Sequence, residues 1–189
     1  CGRKSIIPSL YLKKNSKKKL INIHIQNPKV KLDNFDLVVV PEHDNLDGNN
    51  VLKTKGAIHY LTTEEIDKNK EYLFNIYSKL KDRKIISLIL GGPTQYYDYT
   101  DRNIQEIFSK VNYLVKENDL TLVVIPSMRT PKSTIEHAKI YFGDDHLILD
   151  DIDKKAYLSA LSISSHIVIT CDSSSMISEA ALTGKPIYI

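Results

Sequence analysis

Short runs of apolar residues recur along this chain with longer mixed segments between them, and no other feature limits its fold as much. LINIHIQ (20–26), FDLVVVP (35–41), KIISLIL (84–90), LTLVVIP (120–126), HLILD (146–150), HIVIT (166–170) and PIYI (186–189) read as strands. Runs that are apolar at nearly every position need both faces covered, and a parallel sheet flanked by helices supplies that environment. The segments between them read as helices: 62–82, about 100–117, about 131–141, 153–163 and about 174–183, with an earlier one over 5–14 that carries Pro8 in its first turn. From residue 84 onward the order is βαβαβαβαβ, an α/β fold with right-handed crossovers.

The alternation divides the chain into three stretches. Residues 1–61 read as the C-terminal part of a first α/β domain. Residues 62–82 read as a single bridging helix capped by Thr62 or Thr63, with acids in its first turn. Residues 83–189 form a second doubly wound domain that stops on a strand; because the chain also starts without Met, it reads as an internal piece of a longer protein.

With 42% hydrophobic and 26% charged residues, the 189-residue chain has enough apolar matter for a core and is not a disordered composition. Its net charge of +3 comes from 22 lysines and only Arg3, Arg83, Arg102 and Arg129, which argues for compositional drift and against a nucleic-acid face. KKNSKKK (13–19) reads as a solvated helix end. Cys1 and Cys171 form no CxxC and no Cys/His cluster, so the chain predicts no disulfide scaffold and no metal site, and a reducing, cytoplasmic compartment. No apolar run is long enough to span a bilayer.

In open α/β sheets, ligands gather at the carboxyl ends of the strands, where helix N-termini point their unpaired N–H groups. PEHD, GGPTQYYDYT, PSMRTP and CDSSSM all follow strands, whereas KEND, FGDDH and LTGK on the opposite edge are ordinary turns. Gly91 and Gly92 suit a backbone that approaches a phosphate, or else a turn needing positive φ, and Thr94 adds a hydroxyl. Arg129 offers a planar fork for phosphate or carboxylate, or a surface ion pair; Ser127 and Thr130 can donate beside it, and Thr130 is placed to cap the helix that Pro131 opens. His43 and Asp44 make a candidate base with a neighbouring carboxylate, or a plain surface pair. Gly2, Arg3 and Ser5 precede a helix as an anion arrangement or a simple capped start. Asp172, Ser173, Ser174 and Ser175 can cap the last helix while exposing several N–H groups. Glu179, one turn deeper than Ser175 on the same face, can accept two hydrogen bonds from a vicinal diol such as a ribose; a capped helix with a solvent-facing glutamate is the plainer alternative.

Taken in order, GRKS, FDLVVVPEHD, NVLKTKGAIHYLT, LGGPTQYY, PSMRTP and DSSSMISEAALTGKPIYI resemble the bacterial branch of the mitochondrial fission "elongated mitochondria" family, whose bacterial members have been labelled nucleoside-diphosphate-sugar epimerases. The serine turn, SEA and GKP are also similar to the nucleotide-sugar motif of GT-B-type glycosyltransferases and related UDP-sugar epimerases. The resemblance implies a GT-B-like pair of Rossmann-type domains with a nucleotide-sugar cleft between them. It implies that Gly91, Gly92 and Thr94 line a phosphate loop with Arg129 nearby, that Ser173 to Ser175 hold the diphosphate, and that Glu179 takes the ribose. The expected activity is metal-independent glycosyl transfer from a nucleotide-diphosphate sugar, with no cofactor and with acceptor and oligomeric state left open. Epimerisation of the same donor is one alternative; a non-catalytic scaffold in membrane or organelle fission, peripheral at the inner face of the membrane, is the other.

Overall fold

The structure, a computed structural model, describes residues 2–189 and, of Arg3, the backbone only. Cys1 and the Arg3 side chain, both weighed above, lie outside the described residues. The chain forms two compact units, Cys1–His59 and Tyr60–Ile189.

In the first unit, α1 (Ile6–Asn15) precedes three parallel strands, β1 (Ile23–Ile25), β2 (Leu37–Pro41) and β3 (Val51–Thr54), in spatial order β1-β2-β3. Its core is small: Ile6, Phe35, Val38 and Val40, with Leu10, Leu32, Leu46 and Val51 against them. Strand β1 is shorter than the 20–26 expected; at its C-terminal end Gln26 turns to a φ of 85° and stops the extended run.

The second unit holds five parallel strands: β4 (Ile85–Leu90), β5 (Thr121–Pro126), β6 (Leu147–Ile148), β7 (His166–Ile169) and β8 (Ile187–Tyr188), in the order β6-β5-β4-β7-β8. Between them lie α4 (Asp101–Glu117), α5 (Lys132–Phe142), α6 (Lys154–Ile163) and α7 (Ser174–Ala181). Strands β4 and β5 are buried at every position, as their unbroken apolar runs require. Alternate residues face opposite ways: Ile86, Leu88 and Leu90 join α4 and α5 through Ile104, Phe108 and Ala138, while Ile85 and Ile89 join α6 and α7 through Leu158, Leu161 and Ala180. The one polar residue inside β4, Ser87, is satisfied by the Ser164 hydroxyl at 2.6 Å. Both sheets are parallel and the α/β class is as expected.

The single helix expected over 62–82 is instead two short helices, α2 (Thr63–Lys68) and α3 (Glu71–Ile76), followed by a 3-10 turn, Ser78–Leu80, all within the second unit. Thr62 caps α2 by accepting from the Glu65 N–H at 3.2 Å. The break has a long-range cause. An unbroken helix would give the Leu73 N–H to the Asn69 carbonyl, but that N–H donates to Ser159 Oγ at 3.1 Å, and the same hydroxyl donates to the Lys70 carbonyl at 2.9 Å. Asn69 meanwhile folds its amide back onto the Glu65 carbonyl at 2.8 Å, closing the end of α2.

Candidate functional site

The strand order places the reversal of winding between β4 and β7: β4, β5 and β6 progress one way, β7 and β8 the other. At such a reversal the loops leaving neighbouring strands ordinarily diverge and leave a crevice at the carboxyl ends, where ligands of such sheets bind.

One buried carboxylate ties that edge together. Asp172, whose side chain is 1% exposed, receives the Arg129 guanidinium through Nη2 at 2.7 Å on Oδ2. The Gly92 N–H donates to the same oxygen at 3.1 Å, and the Thr170 hydroxyl donates to Oδ1 at 2.6 Å. Thr170 in turn accepts from the Gly91 N–H at 2.7 Å and from the Tyr99 phenol at 3.1 Å. Burial pushes the Tyr99 phenol up to about 12, which keeps it a donor. From the loop after β5, Thr130 donates to the Gly91 carbonyl at 2.6 Å and accepts from the Ser127 N–H at 2.8 Å. Three loops thus meet at one set of hydrogen bonds.

This arrangement explains both glycines. A Cβ on Gly91 would lie 2.0 Å from the Asp172 carboxylate oxygens, and one on Gly92 would lie 2.0 Å from the Arg129 carbonyl oxygen. Neither glycine has a positive φ, so close approach, not a turn, demands them. What approaches them is the protein's own Asp172 and Arg129, and both glycine amides are engaged there.

Several sequence expectations change at this point. Asp172 is no helix cap, since its oxygens are committed to Arg129, Gly92 and Thr170; the cap of α7 is Ser173, which accepts from the Met176 N–H at 3.5 Å. Thr130 does not cap α5 either: its hydroxyl is drawn to the Gly91 carbonyl, and Pro131 occupies the cap position without a side-chain bond. The Thr94 hydroxyl accepts from the N–H groups of Tyr96 and Tyr97, both at 3.1 Å, and organises its own turn. Ser5 donates to the Gly2 carbonyl at 2.8 Å and makes no side-chain cap bond to α1. His43 and Asp44 lie in the first unit, in a 3-10 turn, with Nε2 and Oδ1 3.9 Å apart.

Beside this hydrogen-bonded knot lies a largely apolar pocket of about 260 Å³, walled by Leu61, Ile89, Pro126, Met128 and Met176, with Glu179, Tyr157, Asp153, Lys154, Ser127 and Tyr60 as polar residues of its lining. Tyr157 donates to Glu179 Oε2 at 2.8 Å. Ser174 and Ser175, exposed in the first turn of α7, sit one turn before Glu179. Thr170 and Tyr157 were absent from the sequence-based site. A hydroxyl closing an apolar strand two residues before Asp172 was a readable signal for Thr170; Tyr157 looks in sequence like any half-buried helix tyrosine. Among the described residues no cluster of His, Cys, Asp and Glu could hold a metal ion, and no helix is long and apolar enough to cross a membrane.

A family model described as Mitochondrial fission ELM1 matches residues 1–189. The chain is 24% identical over 215 residues to the mitochondrial fission protein ELM1 of Arabidopsis thaliana, covering 100% of this chain and 50% of that protein. It is 25% identical over 224 residues to uncharacterized protein RP120 of Rickettsia prowazekii (strain Madrid E), covering 100% of this chain and 62% of that protein. It thus spans between half and about three-fifths of the length of these curated relatives. Among solved structures it is similar to the UDP-GlcNAc 2-epimerase from Neisseria meningitidis bound to UDP-GlcNAc, with a TM-score of 0.48 and 14% identity, over 82% of this chain and 43% of that one.

Proposed function

The chain belongs to the mitochondrial fission ELM1 family, and we propose that its second unit binds a nucleotide-activated sugar in a GT-B-like protein that performs glycosyl transfer. The observation that carries this reading is Glu179: a carboxylate in an otherwise largely apolar pocket at the carboxyl edge of the sheet, one turn behind the N-terminus of α7. A nucleoside fits those terms, with its base and sugar against Leu61, Ile89 and Met176 and its ribose diol on the carboxylate. The diphosphate would then meet the first turn of α7 at Ser174 and Ser175, where orphan N–H groups and the helix dipole favour anions.

Arg129 adds a positive charge at the same edge, and its side chain is 43% exposed despite the bond to Asp172. Together the dipole and the guanidinium would stabilise charge on a departing diphosphate without requiring a metal. His43, with Asp44 beside it, is proposed as the base that takes the acceptor's proton. Gly2, Arg3 and Ser5 belong to the acceptor side of the same reading. Residues 1–61 are proposed as the end of the acceptor domain and 83–189 as the nucleotide-sugar domain, in a cytoplasmic protein with peripheral contact at the inner face of the membrane.

A second reading, a non-catalytic scaffold in fission, is favoured by the self-sufficiency of the knot: the glycine amides that would cradle phosphates already have partners. Epimerisation would use the same donor site. Calorimetric titration of the full-length protein with UDP- and ADP-sugars tests the proposal. Saturable binding that weakens at least tenfold in Glu179→Ala supports it; no saturable heat with any of them sinks it, and binding that Glu179→Ala and Arg129→Ala leave unchanged moves the site elsewhere.

A further inference from the structure

Glu179 is restrained before any ligand arrives. Tyr157 on α6 reaches across to α7 and donates to Oε2 at 2.8 Å, and both residues line the same pocket. The tyrosine is itself held: its backbone is in the first turn of α6, and its side chain is partly buried against the core cluster that includes Leu158, Leu161 and Ile89. Burial, reinforced by the charge of Glu179, pushes the Tyr157 phenol upward, so it stays a donor at any physiological pH. A glutamate side chain has three torsions to settle; Leu61, Ile89 and Met176 beside it carry no side-chain donor, and Lys154 on the same lining donates to Glu65 at 2.8 Å. With one lone pair of Oε2 taken by the phenol, Oε1 and the remaining lone pair of Oε2 are left to accept.

We infer that Tyr157 is a positioning residue that sets Glu179 to receive a cis-vicinal diol, so that the pocket selects ribonucleotides over 2′-deoxyribonucleotides. This rests on the nucleotide reading above and adds to it a named determinant of selectivity. The physical basis is the cost of leaving a prepared acceptor unmatched: a deoxyribose brings one hydroxyl to a carboxylate arranged for two. A tyrosine that merely filled space would weaken both sugars alike when altered.

The experiment compares UDP with 2′-deoxy-UDP, and ADP with 2′-deoxy-ADP, by calorimetry on full-length wild-type, Tyr157→Phe and Glu179→Gln proteins, with melting temperatures as a control on folding. The expected result is a ribo-over-deoxy preference of roughly tenfold or more in the wild type. That preference should collapse towards unity in Tyr157→Phe, chiefly through weaker ribonucleotide binding, with Glu179→Gln behaving likewise. A wild type that binds ribo and deoxy forms equally overturns the inference while leaving nucleotide binding intact. So does a Tyr157→Phe protein that keeps the wild-type ratio, or one that loses both forms in equal proportion. A folded wild type that binds none of the four overturns the nucleotide reading itself.

Discussion

Asp172 and Glu179 stand seven residues apart, one just before the cap of α7 and the other within the helix, yet they live in different electrostatic worlds. The Asp172 side chain is 1% exposed and shares its oxygens among a guanidinium, a backbone amide and a hydroxyl. Glu179 borders a pocket and is held by a single phenol. The difference separates two uses of polar residues at a sheet edge. One carboxylate completes the protein's own loops; the other is held in place with capacity to spare. A count of polar residues along the edge would have treated them as equals.

The largest test of that contrast is Gly92→Ala. Its Cβ would meet the Arg129 backbone, which cannot rotate away as a side chain can, and the expected loss is about 3 kcal/mol in urea denaturation. A loss below the error of the method would show that the knot yields easily, and the distinction from Glu179 would blur. Next comes Asp172→Ala, which strips the Gly92 amide, Thr170 and Arg129 of their shared acceptor at a cost of about 2 kcal/mol. Smallest is Glu179→Gln, which keeps an acceptor for Tyr157 and should change stability by less than about 0.5 kcal/mol. If its midpoint falls as far as that of Asp172→Ala, Glu179 is a structural carboxylate too.

The sequence allowed the elements of the second unit to be read closely, because unbroken apolar runs such as 85–90 and 121–126 admit few environments. The carboxyl edge was legible for the same reason. Family membership was legible from motif order. What escaped were the partners. Gly91 and Gly92 announced a close approach, but the groups that approach them, Asp172 and the Arg129 backbone, come from other loops far along the chain, and nothing local names them. The break between α2 and α3 is set by Ser159, 86 residues from Leu73, so helical periodicity over 62–82 could not reveal it. Tyr157 and Glu179 meet across two helices whose facing sides only the assembled sheet defines.

Three loops anchored on one carboxylate also behave as one moving part. The Gly92 amide can meet water only when Asp172 releases it, and Asp172 at that moment holds Arg129 and Thr170 as well. Thr170 passes the constraint on to Gly91 and Tyr99. The segments after β4, β5 and β7 therefore lack separate freedoms: an anion that drew Arg129 outward would loosen amides on the neighbouring strand's loop in the same event, and the edge would answer to its ligand cooperatively.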